Sequence, residues 1–406
     1  MWVRAAVFTL VGVGVALAAG LLGPLLPFSV AIDLGQNSVD SLLQIIATAM
    51  LTVSTFSVTA MVTAFSAATT TATPRSTPLL IADPTSQNAV STFVGAFTFS
   101  LVGIVALSTG YYTEQGRTIL FVGTLVVIGI VVFTLLRWIS HLSTFGRMSD
   151  VIDRVESAAR LSLQRHAAAP SLGAHRLVTV PHDAVPVHTD TVGYITHLDV
   201  AGLDRLAAAE GLVIYVEATP GRVADARVPL AHVGGQHVHG EVDDDVAARV
   251  RRAFRIAPHR SYEQDPRFGV IALTEIGSRA LSAATNDPGT AIEVVAALQR
   301  VFTAALTAEA DDDVAYPRVF VPTPSLAELV DDAFRPLARD GAADIEVQVR
   351  LQKCLASLAA TSPRQARVFR DAARAALART RGTLARSDAR LLRTAVRDAW
   401  AGAARD

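Results

Sequence analysis

The stretch TILFVGTLVVIGIVVFTLLRWISH, residues 118–141, has no charged side chain between Arg117 and Arg137. A bilayer core of roughly 30 Å is crossed by about 20 helical residues, so the stretch is long enough to span. In lipid only structures that satisfy their own backbone groups survive, so a run of this kind reads as a helix. Bounded as Ile119–Ser140, it is the fourth such segment. Ala5–Phe28, Leu42–Ala68 and Phe93–Tyr112 precede it. Up to Ile139 the only charges are Arg4, Asp33, Asp40, Arg75, Asp83, Glu114, Arg117 and Arg137, whereas from Arg147 onward they recur every few residues. The fold class that follows is an all-α membrane part of four transmembrane helices plus a cytoplasmic α+β domain. Its parts are expected at 1–145 (membrane), 146–240 (linking helix and small β-rich region) and 241–406 (helical region).

The 406 residues sum to a net charge of −1, an average over two unlike halves. That average argues neither for nor against nucleic acid, and no such partner is expected. A single cysteine, Cys354, leaves no intramolecular disulfide and no cysteine zinc site. The first apolar run could pass for a cleaved leader, but it continues beyond Ala16, Ala18 and Ala19 into Leu21, Leu22, Leu25 and Leu26, which suits a retained span. Arginine positions orient the chain. With both termini cytoplasmic, Arg4, Arg75, Arg137, Arg147 and Arg154 share the inner side of a bacterial plasma membrane, and the outer side receives Asp33, Asp40, Glu114 and only Arg117.

In the second run Thr52, Thr55, Thr59, Thr63, Ser66, Thr70 and Thr73 recur at steps of three and four, which puts hydroxyls on one helical face. Two readings stay open. The hydroxyls can bond back to carbonyls a turn earlier or join helices, or they can line a path in which they replace part of the hydration shell of an inorganic ion. A single such face makes a pore only if copies share an axis, so the second reading implies a homo-oligomer in the lipid bilayer. Asp83-Pro84, Asp265-Pro266 and Asp287-Pro288 are helix starts, with Asp as cap and Pro at the first helical position. Past the fourth run, Ile139, Leu142, Phe145, Met148, Ile152, Val155 and Ala159 keep helical spacing, which predicts one long helix leading out of the membrane.

Beyond it Leu177–Val180, Thr191–Asp199, Val213–Ala218 and Val223–Val233 read as strands, and the pattern past Val242 reads as helical almost to the end. No phosphate-binding loop, dinucleotide fingerprint, HExxH or nucleophile elbow is present, so no cofactor and no enzymatic activity are expected. His232, His237, His239 and Glu241 alternate in a way that can ligate a metal, but the surrounding glycines favour an exposed loop, and no metal is expected. Glu263, Gln264, Asp265, Arg279, Asn286 and Asp287 are expected to gather at one end of a helical hairpin, either as caps or as ligands for an ion or a neighbouring subunit.

Several motifs together resemble a bacterial family of predicted membrane proteins known as domain of unknown function 2254. They are TPRSTPLL (73–80, with Arg75), RWISH (137–141, with His141), VGYITHLD (192–199), TPGRV (219–223), YEQDPRFGV (262–270) and RALSAATNDPGTAI (279–292). Two positions depart from the family pattern. A second histidine usually accompanies the one matching His141, and a more acidic, glycine-rich turn usually stands where Arg222 is. The resemblance implies a topology and no activity. An oligomeric channel or pore-like protein with a cytoplasmic gating or assembly domain is therefore the leading expectation, and a membrane-anchored sensor or scaffold without transport is the alternative.

Overall fold

The computed structural model describes residues 2–22, 36–235, 240–310 and 313–402, and Asp33 lies outside them. The chain divides into two units, 1–151 and 152–406. Five of the described helices are long and apolar enough to cross a membrane: four in the first unit and Pro288–Leu306 in the second.

The first unit is helical. It consists of α1 (Trp2–Leu22), α2 (Gln36–Thr71), a 3-10 turn (Pro74–Ser76), α3 (Thr77–Ile81), α4 (Pro84–Ser108) and α5 (Glu114–Leu142). Helix α4 is the hub, packed against α1, α2 and α5. Small residues permit that closeness: a Cβ added at Gly12 would lie 2.7 Å from the Gly95 carbonyl oxygen, and one at Gly95 would lie 3.0 Å from that of Phe8. At the other end of α1 the Tyr112 hydroxyl donates to the Ala16 carbonyl at 2.7 Å. The outer surface is apolar. Leu10, Val126, Ile130, Phe133 and Leu136 are all at least half exposed. In water such a surface costs about 25 cal/mol per Å2, whereas acyl chains remove that cost.

Helix α5 stops at Leu142 and α6 (Met148–Ala168) begins after a turn. The expected continuous helix is therefore broken. Gly146 adopts φ +77, outside helical backbone, and a side chain there would meet Ala64 at 2.9 Å. Apolar spacing alone could not reveal this, because the stripe keeps its period across the turn.

The second unit holds two sheets. Strands β1 (Ala174–Arg176), β2 (Val185–Val187), β3 (Gly193–Leu198), β4 (Leu212–Val216), β5 (Val223–Ala224) and β6 (Ala231–Gly235) are interrupted by α7 (Val200–Glu210). Then come α8 (Asp244–Arg252), β7 (Phe254–Ala257), α9 (Pro266–Ala280), α10 (Pro288–Leu306), β8 (Tyr316–Val321), α11 (Leu326–Asp340), α12 (Ile345–Thr361), α13 (Ala366–Arg379) and α14 (Arg386–Gly402). The larger sheet is mixed, in the order β1-β8-β4-β6-β2, and the smaller is antiparallel, β5-β3-β7. Strands β7 and β8 lie past Val242, where the sequence pattern places no strand, and each completes a sheet begun before residue 240. Their short runs satisfy the edges of β3 and β4, a pairing set by distant residues rather than local pattern. The core beneath the larger sheet includes Ile195, Leu203, Ile214, Val216, Val233, Val250 and Val319. Cys354 is fully buried and its thiol is pushed up by burial to about 12, so it is an inert core residue.

Candidate functional site

On α2 the residues Thr52, Thr55, Thr59, Thr63, Ser66 and Thr70 are all exposed on one face, flanked by Phe56 and Val62, and Met61 is buried on the opposite face. The Thr52, Thr55, Thr59 and Thr63 hydroxyls donate to the carbonyls of Thr48, Leu51, Thr55 and Thr59 at 2.9–3.0 Å, and Thr70 donates to that of Ser66 at 3.0 Å. The five threonine donors are thus satisfied within their own helix, which makes the face tolerable in lipid. Thr73 does not belong to it. It is 1% exposed and its hydroxyl accepts the Arg75 backbone N–H, capping the 3-10 turn. The helical count runs out where Thr71 ends α2, so the hydroxyl spacing cannot extend that far.

Arg75 stands in that capped turn, and His141 lies on the last turn of α5. His141 Nε2 is 3.0 Å from Asp83 Oδ2, an oxygen that also accepts the Ser86 backbone N–H at 2.7 Å and the Ser86 hydroxyl at 2.6 Å. Asp83 is 5% exposed. Ser86 Oγ donates to the carboxylate and stands 3.5 Å from His141, so these three residues tie α4 to α5 and do not form a nucleophile with its base.

The second unit contains a cavity of about 340 Å3 bounded by His166, Thr219, Gly221, Arg222, Arg260, Arg267, Thr323 and Glu328. Its floor is built from two of the motifs. Asp265, 1% exposed, accepts the backbone N–H groups of Arg267 and Phe268 and so caps α9, while its Oδ2 takes the Arg260 guanidinium at 2.7 Å. Burial pushes this carboxyl above its ordinary value, against the pull of Arg260 and the two N–H groups. Gly221, at φ +92, passes so close that a Cβ would lie 2.4 Å from Asp265 Oδ2. Only glycine meets both demands, and the contact joins TPGRV to YEQDPRFGV. The Gln264 amide pairs with both backbone groups of Leu198, accepting its N–H at 2.8 Å and donating to its carbonyl at 3.3 Å. Glu263 is half exposed, 3.8 Å from His197 and 3.9 Å from Arg255.

The charges around the cavity are unevenly paired. Arg260 is neutralised by Asp265, Arg267 makes two bonds to Asp332 at 2.6 and 3.1 Å, and Glu328 is occupied by the Ser325 N–H and hydroxyl. Arg222 is exposed; its guanidinium donates to the Glu217 carbonyl at 3.4 Å, and its charge helps to hold the Glu328 carboxyl below its ordinary value without a salt bridge between the two. Burial lowers the His166 imidazole, which favours its neutral form. Among the described residues the cavity therefore presents one guanidinium without a salt-bridge partner, beside threonine hydroxyls and a neutral imidazole.

Arg279, Asn286 and Asp287 lie elsewhere. Asp265 opens α9 and Arg279 closes it, and 15 residues of helix are about 22 Å long, so the six polar residues do not meet at one end. Asn286, at φ +47, forms the turn, and Asp287 accepts from the Thr290 N–H and hydroxyl at 3.0 and 2.6 Å, which holds its carboxyl below the ordinary range. His232 pairs with Glu217 at 2.8 Å, whereas His237 and His239 lie outside the described residues. Sequence reading missed Arg260, Asp332 and the Asp83–His141 contact. No spacing marks them: Arg267 and Asp332 are 65 positions apart and Asp83 and His141 are 58.

Residues 1–357 match the family model described as predicted membrane protein (DUF2254). An uncharacterized protein of Mycobacterium tuberculosis strain H37Rv is 28% identical over 290 residues, covering 68% of this chain and 55% of the relative. One of Mycobacterium bovis aligns with the same figures, and one of M. tuberculosis strain CDC 1551 is 27% identical. The chain thus spans about half the length of the curated relatives it matches. No solved structure matches it.

Proposed function

We propose that this chain, which belongs to the DUF2254 family of predicted membrane proteins, is a membrane-anchored sensor that binds a small anionic ligand in the Arg222 cavity of its second unit. The observation that carries the reading is a cavity built by two motifs in which the exposed Arg222 guanidinium makes no salt bridge among the described residues and meets the Glu328 carboxylate only at longer range. A carboxylate or phosphate ester suits it, since either accepts the guanidinium's paired N–H groups and the hydroxyls of Thr219 and Thr323. The role is binding, without catalysis.

Four helices of the first unit serve as the anchor. The fifth candidate, α10, buries Val294, Val295, Leu298, Val301 and Phe302 in its own unit and carries Arg300, which is bonded to Glu156, so it is a core helix. The arginine distribution supports cytoplasmic termini and a bacterial plasma membrane location.

The test is thermal melting of the full chain in lipid nanodiscs against a panel of small carboxylates and phosphate esters. A ligand at a hundred times its Kd should stabilise by about 2.7 kcal/mol. Arg222→Ala should weaken binding on the order of tenfold, since a hydrogen bond to a charged group is worth about 1.5–3 kcal/mol. Absence of any shift across the panel, or equal shifts in wild type and variant, counts against the reading.

A second reading, an ion-conducting homo-oligomer, is favoured by one observation: the exposed hydroxyl face from Thr52 to Thr70. With copies around a shared axis, their second lone pairs would meet a partly dehydrated ion. Thr59→Leu or Thr63→Phe should then abolish ion flux in liposomes and leave the oligomer intact. Val58→Phe, exposed beside the face, is the control, because Met61 is buried and unsuitable. A monomer without flux removes this reading.

A further inference from the structure

At the paired ends of α4 and α5 a groove of about 220 Å3 is bounded by Thr85, Asn88, Phe133, Thr134, Arg137 and Trp138, with no acidic side chain in its wall. Both helices are apolar enough to cross a membrane, so the groove opens at the end of two candidate spans. Its two faces differ. Phe133, 67% exposed, lies one helical turn before Arg137 on the same face of α5, which sets an apolar surface directly beside a cation. Asn88 holds a second guanidinium at the rim, accepting from Arg4 at 3.0 Å.

Among the described residues, three polar groups in this wall lack a protein partner. In α4 and α5 the hydroxyls of Thr92, Thr98, Thr118 and Thr124 bond back to carbonyls of their own helix. Those of Thr85 and Thr134, the remaining two threonines, make no such bond, and both line the groove. The Trp138 Nε1–H is likewise without an acceptor, on a side chain only 2% exposed. Unused donors and two guanidiniums converge where acyl chains would begin.

We infer that this groove binds the phosphate of an anionic phospholipid headgroup, with Arg137, Thr85 and Thr134 as donors and an acyl chain along Phe133. A lipid is favoured over a free anion because Phe133, 67% exposed, turns an apolar surface outward directly beside Arg137. This site is independent of the Arg222 cavity and stands or falls without it.

The experiment is native mass spectrometry of the full chain, counting retained phosphatidylglycerol, dioleoylglycerol or inorganic phosphate. Wild type should retain phosphatidylglycerol in preference to dioleoylglycerol, which has no phosphate. Arg137→Gln with Thr134→Val should reduce retention at least on the order of tenfold, the scale of one hydrogen bond to a charged group. Thr85→Val, on the other helix, should reduce it in the same direction. Arg147→Ala removes the same charge near the same helix end without touching the groove and should leave retention unchanged. Equal retention by the double variant, equal loss in Arg147→Ala, or displacement of the lipid by millimolar phosphate would each overturn the proposal. The substituted side chains of Arg137 and Thr134 are at least partly exposed, and a melting curve like that of wild type ties any loss to the groove.

Discussion

Replacing Asp265 with alanine should destabilise the second unit by roughly 3–5 kcal/mol, the usual cost of removing one partner of a buried ion pair. Two losses combine. The Arg260 guanidinium, 19% exposed, would have no carboxylate in reach, and the first turn of α9 would lose the acceptor for two backbone N–H groups. Loss of the cap alone accounts for about 1 kcal/mol. Asp265→Asn keeps an oxygen for the cap and gives up the charge, so it should fall between wild type and Asp265→Ala. Far-UV circular dichroism melting of the three proteins in one detergent gives the order. A loss below about 1 kcal/mol for the alanine variant would mean that the pair is energetically idle and that the Gly221 turn is held by other contacts. Because the Arg222 cavity rests on that turn, Asp265→Ala should also lose ligand binding, whereas Arg222→Ala should lose binding with little change in melting.

In the first unit the largest effect is expected from Gly95→Leu. Helices α1 and α4 approach so closely that a single Cβ at Gly95 would lie 3.0 Å from the Phe8 carbonyl oxygen, and the obstruction is backbone, which cannot rotate aside. Overpacking costs about 1–3 kcal/mol where side chains can adjust, and more where they cannot. Small residues at helix contacts are what allow membrane helices to gain packing energy, since lipid supplies no hydrophobic drive between them. Gly95→Leu should therefore shift the detergent-solubilised chain from a single size-exclusion peak to aggregate. Gly14→Leu is the control: a Cβ at Gly14 meets nothing within 4 Å, so that variant should elute and melt like wild type. Similar behaviour of the two would show that the α1–α4 contact is dispensable.

What the sequence determined by itself is local. Apolar runs long enough to span needed only counting, because the bilayer imposes a length and lipid forbids unpaired backbone. The Asp-Pro starts at Asp83, Asp265 and Asp287 were legible for the same reason: a cap joins residues two or three apart, and all three carboxylates accept from the first turn of their helix. The periodic hydroxyls of α2 were legible as a face. Which way that face points was decided only by helix packing, which buries Met61 and leaves Thr59 outside. Tertiary structure likewise decided that α5 and α6 are separate helices, that β7 and β8 complete the two sheets, and that Arg279 and Asp287 lie a helix length from Asp265. It alone brought Gly221 against Asp265 and left Arg222 without a salt bridge among the described residues. In each case the partners are tens of residues apart, and the energy that selects them comes from burial and charge pairing across that separation, which no local pattern encodes.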